Sequence, residues 1–364
     1  MTIHEVTEIL EAWAPLPNAE DFDNVGLLVG SREQEVTQIL VAHDALENVV
    51  TEAIQKDCNL IVCFHPIIFS GLKRLTGATY VERAVLKAIK NDIAIYAIHT
   101  ALDNVPHGVN HGMSKALGLE DCRILIPKLE TLYKLTTYVP HASAKLLTSS
   151  LCAAGAGQLG TYKDCSFTVQ GSGNYTAMEG ANPNLGEIGV PHEEPETQVN
   201  VTFEKRLEGQ IVSALLKNHP YEEVAYEITA LKNSNQHLGM GMIGRLPKSM
   251  DGSEFLSLVK KTFKTGGVRH SKLLGKRIQT VAVLGGSGAF AIKNAIHSNA
   301  DAYVTSDLKY HDYYGAENKI LIADVGHYES ERFTKNIIAD YLTEKIRNFA
   351  IILSEENTNP INYF

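Results

Sequence analysis

Short, mostly apolar runs that end directly in metal-binding or proton-moving side chains are the feature that most limits what this chain can fold into. Leu60–Phe64 runs into His65-Pro66. Ile93–Ile98 runs into His99-Thr100, with Asp103 just beyond, and Lys319–Asp324 is followed by Gly326-His327. Such runs, bounded by turn residues, read as strands buried on both faces. Gln38–Ala42, Thr280–Leu284 and Ala302–Thr305 read the same way, and amphipathic segments lie between the runs. Glu47–Lys56, Tyr80–Asn91, Ala289–Ser298 and Ser330–Ile346 read as helices. Buried strands alternating with helices predict an α/β fold with largely parallel or mixed sheets in two host lobes. In open sheets of this kind, ligands bind at the carboxyl ends of the strands, where the histidines and carboxylates fall.

The middle of the chain has a different rhythm. Leu132–Val139 reads as a strand and Ala142–Ala154 as a helix. Two short strands, Ser166–Gln170 and Asn174–Ala177, precede a polar stretch that carries glycine and proline through Thr197. Val199–Phe203 then reads as a strand, Leu207–Asn218 as a helix and Val224–Leu231 as a closing strand. That order is ferredoxin-like α+β. Its ends lie close together, as insertion into another domain requires. The expected domains are a host lobe over 1–126, an insert over 127–232 and a second host lobe over 233–364.

Charge and cysteine content narrow the function classes. The net charge is −9, which argues against bulk nucleic acid or an anionic membrane as partner, since both call for a basic face. It leaves room for a small anionic substrate held by a cation. No apolar stretch reaches membrane-spanning length, and the amino terminus has no basic region followed by an apolar one. The five cysteines are scattered without a CxxC pair, as in reduced thiols of a cytoplasmic protein.

Imidazole and carboxylate at strand ends point to metal chemistry. His327 and Glu331 are four apart after a strand, so on one helical turn they face the same way and can meet one ion. Together with His65 and Asp103 they give two histidines and two carboxylates, a mixed N/O set that leaves room for water, as in catalytic rather than closed structural sites. One or two divalent ions per subunit are expected, with zinc, iron or manganese as candidates. A carboxylate such as Asp103 can bridge two ions about 3.5–4 Å apart. Each segment alone has a plainer reading: a hydrogen-bonded core histidine for His65, a turn or cap for Asp103, a dipole-favoured helix start for His327–Glu331.

His99, Thr100 and Asp44 are candidates to orient a ligand by hydrogen bond or to touch substrate. Gly285 and Gly286, in Leu284-Gly285-Gly286-Ser287-Gly288, offer backbone amides to a phosphate or carboxylate, or simply make a tight turn. Asp307 and His311, four apart after another strand, are candidates for acid/base chemistry, or for a capped helix start. His107 and His111 flank loop residues and read as surface histidines. Gly239–Gly244 matches GxGxxG, but Arg245-Leu246-Pro247 follows where a dinucleotide fold needs a helix.

Taken together, Asp23-Asn24-Val25-Gly26-Leu27, His65-Pro66, His99-Thr100 with Asp103, Gly239–Leu246, Thr305–His311 and Gly326–Glu331 resemble the Nif-three-like family, the GTP cyclohydrolase 1 type 2 homologues. The resemblance covers both host lobes. It implies a dinuclear metal site facing the cavity of a toroidal homohexamer. Asn218-His219-Pro220-Tyr221-Glu222-Glu223 looks like the end of the PII- or CutA-like insert that some members carry. The family's first motif has two adjacent histidines, matched here by Phe64 and His65, and a phenyl ring cannot bind metal. The expected function is metal-dependent hydrolysis of a nucleotide, pterin precursor or phosphoester. The other reading is a non-enzymatic metal-binding regulator or scaffold with the insert as sensor or gate.

Overall fold

The computed structural model describes residues 1–364, which divide into two compact units, Met1–Pro127 with Leu238–Phe364 and Lys128–His237. The discontinuous unit holds two mixed sheets. The first has five strands in the order Gly26–Val29, Ala94–Ala97, Leu60–Cys63, Ile39–Ala42 and Ile351–Leu353. All neighbours are parallel except the first pair. The second has six strands in the order Arg269–His270, Leu321–Asp324, Ala302–Ser306, Ile278–Ser287, Asn235–Met250 and Glu120–Lys128. Its three central strands run parallel.

The sheets do not follow the two host segments cleanly. Ile351–Leu353, near the carboxyl terminus, pairs with Ile39–Val41, and Glu120–Lys128 joins the sheet of the later segment. Each segment therefore completes the other's sheet, which is why both belong to one compact unit. Every residue of Ile39–Ala42, Leu60–Cys63 and Ala94–Ala97 is buried, as helices on both sheet faces require. Thr79 caps the helix Tyr80–Lys90 by accepting from the Glu82 amide, which satisfies one of the free donors at a helix start. Phe64 is 0% exposed and packs with Leu60, Val62, Tyr96 and Ile98. It serves the core, where a fully buried phenyl contributes about 1.5–3 kcal/mol.

The second unit runs strand, helix, strand, strand, helix, strand. Its sheet order is Ser166–Thr176, Pro191–Glu204, Leu132–Pro140, Tyr226–Ala230, the ferredoxin-like arrangement. Leu135, Leu147, Leu151, Val201, Ile211 and Leu215 fill its core. The two short strands expected after the first helix are one, Ser166–Thr176, laddered from Ser166↔Val201 to Thr176↔Pro191. Gly171 and Gly173 suggest a break, but the Glu196 carboxylate lies where a side chain at 173 would stand, so glycine permits the ladder.

The long helix expected from Ser330 is two helices, His327–Glu331 and Thr334–Lys345. Arg332 donates to the Phe263 carbonyl at 3.1 Å and the Phe333 ring packs on Phe263, which fixes the corner between them. No helix is long and apolar enough to cross a membrane.

Candidate metal centre

Parallel register brings the first set of side chains together. Ala42 lies opposite Cys63, and Cys63 opposite Ala97. The chain just past each strand stays paired: Phe64 and His65 donate their amides to the His43 carbonyl at 3.1 and 3.0 Å, and His99 donates to the Phe64 carbonyl at 3.0 Å. His43-Asp44, Phe64-His65 and His99-Thr100 thus stand side by side at one sheet edge. The other sheet does the same. Thr305 lies opposite Asp324, and Val325 donates to the Thr305 carbonyl at 3.0 Å, setting Asp307 beside His327.

The two edges meet. His65 Nδ1 is 2.8 Å from Asp44 Oδ1, and His327 Nδ1 is 2.7 Å from Asp307 Oδ2. A carboxylate at Nδ1 places the ring proton there and leaves the Nε2 lone pair free. Both Nε2 atoms point at Glu331 Oε2, at 3.2 Å from His65 and 3.1 Å from His327, and are 3.3 Å from each other. Glu331 is 3% exposed and its Oε2 has no hydrogen-bond partner. Three lone-pair atoms converging in a buried spot repel one another unless protons or a cation sit among them. Two donors about 2.0–2.2 Å from one tetrahedral ion are themselves separated by roughly 3.3–3.6 Å, close to the spacings seen. The donor set fits a divalent cation.

Electrostatics give the same picture. Burial opposes charge on His65 and His327, but the hydrogen bonds to Asp44 and Asp307 and the nearby Glu331 carboxylate override it and raise their pKa values to about 10 and about 11. Burial likewise opposes the Glu331 carboxylate, and His327 and His65 hold it well below its usual value nonetheless. His327 lowers Asp307 by its hydrogen bond. Asp44 is lowered by His65 against the cost of burial. Asp103 is driven well above the usual carboxylate range by burial and then by the Glu331 charge. Burial, reinforced by His65, depresses His43 to about 4.

The other expected residues fall as follows. Asp103 lines the cavity of about 450 Å³ that holds His65, His99, His327 and Glu331, and its Oδ1 is buried without a partner. It lies outside the tight group formed by His65, His327 and Glu331, whose ligand atoms are all within 4.8 Å of one another. His99 Nδ1 is 2.7 Å from Asp23 Oδ1, and Asp23 Oδ2 accepts from the Thr100 amide at 3.1 Å and hydroxyl at 2.5 Å. Gly285 donates to Asn110 Oδ1, and Gly286 to Ser330 Oγ, both at 3.0 Å. Their amides are therefore spoken for within the protein.

Asp307 orients His327 and accepts from Ser287 Oγ at 2.5 Å. Its φ of +58° and that of His99, +25°, are left-handed. Strained backbone of this sort persists where surrounding contacts over-determine it. His311 packs against Tyr310 and Tyr314 on the turn Tyr310–Ala316, away from this cavity.

Two residues near the site were given no role from sequence. Asp23 opens the Asp23–Leu27 motif, but only the fold shows that it holds His99 and Thr100. His43 ends a strand exactly as His65 nearly does, so the strand-end rule applied to Gln38–Ala42 would have found it. It forms a second close group with Asp44 and His65. Phe22, Phe69 and Phe290 are exposed at the rim of the 450 Å³ cavity. A second opening of about 910 Å³ reaches His43, Asp44, His65 and His327 and carries Arg83 and Lys87.

The sequence profile of Duf34/NIF3 (NGG1p interacting factor 3) matches residues 1–360. A GTP cyclohydrolase 1 type 2 homolog of Halalkalibacterium halodurans is 36% identical over 364 residues, covering 98% of each chain. One of Bacillus subtilis is 35% identical over 365 residues, covering 99% of this chain and 98% of that protein. Among solved structures, a Bacillus cereus protein related to NIF3 superposes with a TM-score of 0.86 at 34% identity, covering 100% of this chain and 99% of the other. A Staphylococcus aureus protein does so with a TM-score of 0.81 at 28% identity and the same coverage. With a match across nearly its whole length, the chain belongs to the Duf34/NIF3 family.

Proposed function

We propose that this protein holds a divalent cation between His65, His327 and Glu331, with Asp103 facing it from the same cavity, and hydrolyses a small anionic substrate of the nucleotide, pterin-precursor or phosphoester class. One observation carries the reading: two Nε2 atoms and Glu331 Oε2 converge within 3.3 Å in a buried spot, while the far side of each ring is fixed by a carboxylate. A bound divalent ion supplies Lewis acidity and lowers the pKa of a coordinated water toward neutrality.

The chain's own residues do the rest. Asp44 and Asp307 lock the two imidazoles in the tautomer that offers Nε2. Asp103 Oδ1 is buried and unpartnered in the same cavity, and a bound cation would counter the burial that raises its pKa, making it available as a ligand or proton acceptor. The exposed rings of Phe22, Phe69 and Phe290 give a planar heterocycle an apolar rim. Arg83, paired with Glu47 at 3.1 Å, and Lys87, donating to Thr51 Oγ1, line the second opening, so a phosphate there would have to compete with those partners. With Phe64 in the core, one ion rather than two is the simpler occupancy.

The test loads metal-stripped protein with zinc, manganese or iron(II) and measures ion content and turnover across nucleotides, pterin precursors and phosphodiesters. Retention of about one ion per chain, with turnover abolished in His327→Ala, is the expected result. Tight retention without turnover on any member of the panel moves the protein to the regulator reading. No retention at all removes the cation from the account.

A further inference from the structure

We propose that His43 is a ligand of this ion, so that the donor set is three imidazoles and one carboxylate. The inference rests on the reading that a cation binds beside His65 and His327, and adds a residue to which that reading gives no part.

His43 is only 5% exposed, and neither Nδ1 nor Nε2 has a hydrogen-bond partner. An unpaired buried polar group costs on the order of 1–3 kcal/mol, and this ring carries two. Its surroundings offer little relief. Phe64 and Tyr328 present rings at centroid distances of 5.7 and 5.1 Å, and His65 stands edge-on at 4.7 Å. The nearest polar atom recorded for it is Glu331 Oε2, 3.6 Å from Nε2. That is long for a hydrogen bond. It is the separation of two donors sharing one tetrahedral ion, roughly 3.3–3.6 Å. The same oxygen is 3.2 and 3.1 Å from the other two Nε2 atoms. Glu331 Oε2 is thus the common neighbour of three imidazole nitrogens on three different strand ends, and it too is unpartnered. His43 lies just outside the tight group of His65, His327 and Glu331, in a second close group with Asp44 and His65, and its ring would turn toward the ion to complete the set.

The chemistry of the set selects the ion. Three imidazoles with one carboxylate suit zinc, cobalt, nickel or iron(II), and disfavour magnesium and calcium, which prefer oxygen ligands. It also separates His43 from Asp44. Asp44 Oδ1 is bonded to His65 Nδ1, and its Oδ2 accepts from Thr358 Oγ1, so both its oxygens are engaged. His43 has no such engagement.

The experiment uses full-length protein and zinc or cobalt(II) alone. Competition with a chromophoric chelator gives the zinc affinity of wild type and of His43→Ala, and X-ray absorption of the cobalt-loaded forms counts imidazoles. Three imidazoles in wild type and two in His43→Ala are expected. The affinity loss should exceed the roughly 10–100-fold that removing an orienting partner costs. Two imidazoles in wild type overturn the proposal whether or not the variant folds, as does a His43→Ala protein of wild-type affinity. Neither result touches the cation reading, which fails instead if wild type binds no ion.

Discussion

The Nε2 atoms of His65 and His327 face each other across 3.3 Å, although 262 positions separate the residues in the chain. Without a cation, two acceptor atoms and a carboxylate oxygen at that distance need protons between them. The raised pKa values of the two rings, about 10 and about 11, express this. A divalent ion would take the place of those protons. Zinc binding at pH 8 is therefore expected to release about two protons per ion. Titration calorimetry in buffers of different ionisation enthalpy reads this directly. A binding heat independent of the buffer would mean the rings were already neutral.

The same pair sets the stability of the metal-free protein against pH. A histidine whose pKa rises on folding contributes stability that is complete below its unfolded value, near 6.5, and is lost as pH climbs through the folded value. Here the loss falls between about pH 6.5 and 11. Thermal melts of chelator-treated protein should drop across that window, and zinc-loaded protein should drop less. In His327→Ala the metal-free slope should flatten. An equally steep slope in that variant would place its origin elsewhere.

The strands were legible because their residues are apolar without interruption, as in Leu60–Cys63, and burial on both faces demands that. The same topology marks the ends of those strands as candidate ligand positions. What single segments could not reveal is which ends meet. His327 touches Glu331 through local helical geometry, but its contacts with His65 and Asp307 depend on how two sheets pack and on parallel register. Asp307 reads from sequence as a candidate acid or base, and only the fold shows that it also lies 2.7 Å from His327 Nδ1. His43 follows its strand directly, so the strand-end rule reaches it, but sequence alone gives it no second feature to single it out. Only its burial beside Glu331, without a hydrogen-bond partner, sets it apart.

Asp307 offers a cleaner test than most orienting residues, because its left-handed backbone separates two roles. At φ +58° asparagine is tolerated almost as well as aspartate, whereas alanine adds strain of about 1–2 kcal/mol. Asp307→Asn should therefore fold with near wild-type stability while losing roughly 10–100-fold in zinc affinity, since the charge that fixes the His327 tautomer is gone. Asp307→Ala should show the same affinity loss together with a lower melting temperature. Equal zinc affinity in wild type and Asp307→Asn would show that the 2.7 Å contact does not orient the ring for metal.

Gly286 makes a prediction about space rather than charge. Its φ is +68°, and a methyl group added there would come within 2.5 Å of Glu331 Oε1. Neither the backbone nor the carboxylate can yield cheaply. The Gly286 amide is bonded to Ser330 Oγ, and Glu331 sits buried on the short helix His327–Glu331. Gly286→Ala should destabilise the protein by on the order of 1–3 kcal/mol, through strain at that φ and the displaced side chain. It should also lower zinc affinity, because Glu331 Oε2 can no longer face both Nε2 atoms. Gly285→Ala, outside the left-handed region and with Val109 Cγ1 at 3.0 Å and Glu331 Cγ at 3.3 Å from the added methyl, should cost less on both counts, since it meets the Glu331 stem and not its carboxylate. Chemical denaturation and chelator competition on the two variants side by side decide the matter, and equal losses in both would count against Gly286 as the residue that makes room for Glu331.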